Sequence, residues 1–90
     1  MVEAVIGNFK HYIENGSLEA CQVYLQELAD TYDSGIPWEY IFQKVYLHAC
    51  LKKQKPIVDW LMLIFNKLDP IQQIGIRHVF AYGRTLLAKN

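Results

Sequence analysis

Pro37-Trp38-Glu39-Tyr40-Ile41-Phe42-Gln43-Lys44-Val45-Tyr46-Leu47-His48-Ala49-Cys50 is the stretch whose reading decides the fold class. Trp38, Ile41, Phe42, Val45, Tyr46, Ala49 and Cys50 recur at steps of three and four, the period of one helix face, and no alternation of period two runs through them. Proline has a fixed φ and no N–H to lose, so Pro37 suits the first helical position. The spacing predicts a long and well-buried third helix.

Reading outward, Asp33-Ser34-Gly35-Ile36-Pro37 is a cluster of turn formers and the clearest break in the chain. Before it, Val2, Val5, Ile6, Phe9 and Ile13 trace a first helix over residues 2–14, ended by Asn15-Gly16, where glycine tolerates the left-handed conformation of a helix C-cap. Ser17 is a good N-cap for a second helix running to about Tyr32. After the third helix, Lys52-Lys53-Gln54-Lys55 reads as a polar connection, and Pro56 opens a fourth helix reaching about Lys67. That helix is apolar on nearly every side, so it is expected to be the central element, covered by helices two, three and five, with Trp60 and Leu61 most buried. Asp69-Pro70-Ile71-Gln72 is a variant capping box for a fifth helix to about Leu87, whose pattern is mixed and contains Gly75 and Gly83. No stretch supports a strand. The expected architecture is all-α: about five helices in stacked antiparallel hairpins or a small helical bundle, with residues 1–90 as one domain.

A hydrophobic fraction of 52% against 20% charged is generous for 90 residues, and points to apolar surface placed at an interface. The most apolar window, Ile57 to Phe65, is interrupted by Asp59 and is far short of a membrane span. Met1-Val2-Glu3-Ala4 has none of the pattern of a secretory signal, so the expected location is intracellular: cytoplasmic, with the nucleus open to so small a chain. Cys21 and Cys50 both fall at apolar helical positions and read as free buried thiols. Neither has a second Cys or His at metal-ligand spacing, so no metal is expected, and no phosphate-binding loop or other cofactor motif is present. Net charge is zero, but residues 1–45 carry two basic side chains against seven acidic ones, and residues 46–90 carry seven basic against two acidic. Such polarity favours head-to-tail contact or an oriented partner.

An enzyme needs a nucleophile or base with an orienting partner, and here the polar candidates are isolated. His48 lies about 30 residues from any other histidine. Cys21, Cys50 and His48 could meet in space, but nothing supplies the loop or oxyanion element of a cysteine hydrolase. No catalytic residue is therefore assigned. The chain has twelve aromatic residues, too many for so small a core, and tyrosine is enriched at protein interfaces. Tyr24, Tyr32, Tyr40 and Tyr82 are expected to be at least half exposed and to contact a protein partner, a second copy of the chain among the candidates. The alternative is a small nucleic-acid-associated regulator using Lys52, Lys53, Lys55, Arg77 and Arg84, with Phe80 and Tyr82 available for stacking; the neutral total speaks against it.

Tyr12 to Leu25 aligns with Ala49 to Met62, 37 residues on. Asn15-Gly16-Ser17-Leu18-Glu19 in the first copy, and Ala49-Cys50, Ile57-Val58 and Trp60-Leu61 in the second, resemble the divergent ankyrin-like helix-hairpin repeats of large DNA viruses. The resemblance covers about half the chain. It implies stacked hairpins, each burying one side on its neighbour and offering the other to a protein partner. Gly35-Ile36-Pro37 departs from the family's opening motif, which has Thr before Pro and Leu-His after it. The span from Pro37 to Ile57 is about nine residues too long for one such repeat.

Overall fold

The computed structural model describes residues 2–31 and 36–88, which form five α-helices and no strand: α1 (Val2–Glu14), α2 (Leu18–Thr31), α3 (Trp38–Leu51), α4 (Lys55–Asn66) and α5 (Pro70–Ala88). The fold is all-α, as the periodicity predicts, and the helix bounds agree to within one or two residues.

The two hairpin turns are built alike. In the first, Gly16 N–H donates to Ile13 O and Ser17 N–H to Tyr12 O, with Gly16 at φ 68°. These are the paired bonds of a Schellman closure. Ser17 then opens α2, its Oγ accepting from Ala20 N–H at 3.2 Å. In the second, Lys53 N–H donates to Cys50 O and Gln54 N–H to Ala49 O, while Gln54 O accepts from Ile57 and Val58. Here the left-handed residue is Lys53, at φ 59°. In each turn one residue closes the first helix and opens the second. Pro56 is the second residue of α4, whereas Pro37 precedes α3 as its N-cap rather than lying inside it. At α5, Gln72 Oε1 accepts from Asp69 N–H at 3.2 Å, the backward half of the expected capping box.

The expected centre is corrected. α3, not α4, touches the most neighbours: it packs on α5, α1 and α4, while α2 packs on α1. α4 is covered on one face only, where Ile57, Val58 and Leu61 are buried. Trp60 is half-buried and Leu63 is exposed. Apolarity around the whole helix counted faces without saying which of them the chain covers.

Gly83 lets α5 come close to α3. A methyl group at this position would overlap the Tyr46 ring and stand 3.0 Å from Cys50 Sγ. Tyr46, fully buried, stacks on Phe80 at 4.8 Å and on Phe42 at 5.8 Å, and Phe65 joins Phe80 at 4.5 Å, so one aromatic cluster joins α3, α4 and α5. Lys53 Nζ donates to Leu86 O at 2.7 Å and to Leu87 O at 3.2 Å, placing a cation at the negative end of α5.

Gly83→Ala gains about 1 kcal/mol of helix propensity but must displace a core ring. A net loss of about 1–3 kcal/mol is expected in urea unfolding, and an increase in stability would show that α3 and α5 do not approach this closely. At Lys53, alanine and glycine both remove the tether to α5, but only glycine relieves the left-handed backbone. Lys53→Ala should therefore unfold at lower urea than Lys53→Gly, by about 1 kcal/mol.

Candidate functional site

The four tyrosines assigned to a partner surface part company. Tyr82 is 58% exposed, as expected, and Tyr40 is 43% exposed, a little short of half. Tyr24 is half-buried and not the open side chain expected. Its ring meets Phe9 at 4.9 Å and Tyr12 at 5.7 Å, and its hydroxyl accepts from Asn8 Nδ2 at 2.9 Å, so it helps fasten α2 to α1. Tyr32 lies outside the described residues.

The basic residues of the alternative are also divided. Lys53 is engaged with the end of α5, and Lys52 Nζ lies 3.8 Å from Glu14 Oε1. Lys55, Arg77 and Arg84 are exposed. Arg77 and Arg84 are about 10 Å apart along α5.

His48 and Cys50 stand two apart on α3, and positions two apart on a helix do not share a face. Cys50 lies against Tyr46 and Gly83, toward α5. His48 turns the other way: its Nε2 is 3.4 Å from Glu14 Oε1 on α1, without hydrogen-bond geometry. The geometry therefore does not pair the thiol with the imidazole. Both cysteines are free and buried, and burial pushes the Cys21 thiol up to about 11 and raises Cys50, which keeps both as inert thiols near neutral pH. Among the described residues, no group of three or more His, Cys, Asp or Glu could hold a metal ion. No described helix is long and apolar enough to cross a membrane.

Helix α5 carries the feature the sequence reading missed. Ile76, Val79 and Gly83 form its buried stripe, against α3. Ile71, Ile74, His78 and Tyr82 recur at three and four on another side, with Ala81 and Thr85 beside Tyr82, and all six are exposed. Ile71 is 83% and Ile74 67% exposed. The mixed pattern of α5 is thus two stripes, one buried in this domain and one open. The signal was present as the spacing of Ile71, Ile74, His78 and Tyr82, but the glycines and arginines between them masked it. Isolated exposed apolar residues are common on protein surfaces; here Ile71, Ile74 and Tyr82 share one side of one helix over about three turns.

Burial is the main influence on His48 and holds its pKa below the ordinary imidazole value, with the Glu14 carboxylate opposing. On acidification through about pH 6.5 the unfolded chain takes up a proton here that the folded chain resists, so stability falls as pH falls through and below that value. His48→Gln should flatten urea midpoints between about pH 7.5 and 5.5 relative to the parent chain. An equal slope in both proteins would place the pH dependence elsewhere.

No family model, no curated protein and no solved structure matches the chain.

Proposed function

We propose that the chain is a non-enzymatic protein-binding or assembly module built of helix hairpins, working inside the cell, and that the outer face of α5 is its docking surface. The observation that carries this reading is the open apolar file Ile71, Ile74 and Tyr82 on a helix whose opposite stripe is already buried. A helix of this kind gains by laying its second stripe against another apolar helix face. A second copy of the chain is the partner we favour, since the acidic excess of residues 1–45 and the basic excess of residues 46–90 attract one another between molecules. Tyr82 sits within the surface, and Tyr40 lies at the α3 start as a further contact. The ankyrin-like resemblance rests on the residue pattern alone, because Schellman closures end helices in folds of every kind. The nucleic-acid reading keeps Lys55, Arg77 and Arg84 but has to share Lys52 and Lys53 with contacts inside the domain.

Ile71→Asp with Ile74→Glu places two charges on the file without touching the core. Unfolding free energy should stay within about 0.5 kcal/mol of the parent. In sedimentation velocity the parent should self-associate reversibly, more weakly at high salt, and the double variant should run as a monomer. A parent chain that is monomeric at every concentration and salt tested rules out the second copy. A retained interaction in the double variant rules out the α5 face.

A further inference from the structure

α2 and α4 make little contact with each other, and a cavity of about 330 Å³ lies between the two hairpins. Phe9 of α1, Phe42 of α3 and Leu61 of α4 are among its buried floor residues. Its rim is set by lining side chains that stay partly exposed: Leu25, Trp38, Trp60 and Gln72, with the exposed Glu39. Protein interiors are packed like organic crystals, so a space of this size is more than packing tolerance. It is roughly twice the ~150 Å³ engineered cavity that takes up benzene, and falls at the small end of the ~300–1,000 Å³ range of ligand pockets.

The chemistry of the lining is one-sided. Among the described residues around the cavity, Glu39 is the one ionisable side chain, and the rest of the lining is apolar or aromatic apart from Gln72. A second, shallower opening shares Trp38, Glu39 and Gln72 and adds Tyr40 and Gln43, so the apolar space leads at Glu39 into a more polar vestibule. Lys44 Nζ stands 5.6 Å from the centre of the Tyr40 ring, which already gives that ring a cation. Glu39, with the neighbouring Trp38 ring, is then the seat left for an incoming positive charge.

We propose that this cavity binds a small amphiphile with an aromatic or short aliphatic body and a cationic head, an arylalkylammonium in chemical class. The body fills the space between the hairpins, and the ammonium sits at Glu39. An anionic head would meet the Glu39 carboxylate, with no cation among the described lining residues to offset it. The site meets α5 at its first turns, where Gln72 lines it and Gly75 lies beside the Glu39 carboxylate, whereas Tyr82 of the α5 face lies about 15 Å further along the helix; neither proposal requires the other.

Trp38 and Trp60 are the only tryptophans in the chain and both line the cavity, so their emission reports occupancy. The full chain is titrated with phenylbutylammonium, phenylbutanol and phenylbutyrate, which share a body and differ in the head. Saturable changes are expected, with dissociation constants of about 10 µM to 1 mM for ligands of this size. The cation should bind about 2–5-fold more tightly than the alcohol, and the carboxylate more weakly than either, a modest span because Glu39 is exposed. Glu39→Gln should erase the preference for the cation over the alcohol and leave the alcohol unchanged within about twofold. Leu25→Phe puts a ring into the mouth and should weaken all three about tenfold or more. Ile64→Phe, on the α4 wall, repeats that test if Leu25→Phe does not fold by circular dichroism. No saturable change with any of the three compounds would overturn the proposal. So would binding that survives the filling variant, or a cation preference that persists in Glu39→Gln. Tyr82→Ser, on the α5 face but about 15 Å along the helix from Gln72, should bind the compounds like the parent, which separates failure here from failure of the α5 surface.

Discussion

The Tyr46 ring lying on the backbone of Gly83 is the contact on which the helix arrangement depends. With no Cβ in the way, α5 approaches α3 closely enough for Phe80 to reach Tyr46 and Phe65, and for Lys53 to reach the last carbonyls of α5. The arrangement has a cost, because the Tyr46 hydroxyl is buried beside Cys50 without a hydrogen-bond partner among the described residues. An unsatisfied hydroxyl of this kind costs roughly 1–3 kcal/mol. Burying an aromatic side chain stabilises by roughly 1.5–3 kcal/mol and each aromatic pair adds about 0.5–1.5 kcal/mol, so with Phe80 and Phe42 stacked on it the ring outweighs its own polar end. Burial also pushes the Tyr46 ionisation upward, with Cys50 adding to it and Arg84 opposing, so the phenol stays neutral across the ordinary pH range.

Local chemistry was legible in the sequence wherever a residue acts on its own backbone. Gly16 in the left-handed region, Ser17 as N-cap and Gln72 reaching back to Asp69 all do what their residue types predict. Long-range placement was not legible to the same degree. Leu63 and Trp60 make α4 look apolar all round, but the first faces solvent and the second lines a cavity, and neither fact is encoded within α4 itself. Gly83 reads as a flaw in a helix until the ring opposite is known. Lys53 belongs by composition to a basic run, whereas its position in a turn beside the end of α5 makes it a cap.

The same limit applies to the candidate surfaces. Tyr24 and Tyr82 look equivalent in sequence, each a tyrosine on an amphipathic helix. Tyr24 finds Phe9, Tyr12 and Asn8 across the first hairpin, and Tyr82 points away from the packed side of α5. Exposure follows from whether a neighbouring helix has somewhere to put the ring, and that depends on the spacing of elements rather than on the residue. Glu39 escaped notice for a related reason: a single acid at a helix start is ordinary until Trp60, on the next helix, is found lining the same space.

The dominance of the α3–α5 contact also has a consequence for how the chain comes into being. α5 follows α3 in the sequence by the whole of α4 and its turns, so during synthesis the side of α3 that carries Tyr46 and Cys50 is made well before the helix that covers it. The first hairpin can close early, because its partners are near in sequence and local contacts form fastest. The second hairpin must wait with a bare aromatic strip. A nascent chain paused in that interval exposes sticky surface in the way that draws chaperones and invites misassociation. The glycine that permits close packing is thus made after the rings it receives, and until it is, the core stands open on one side.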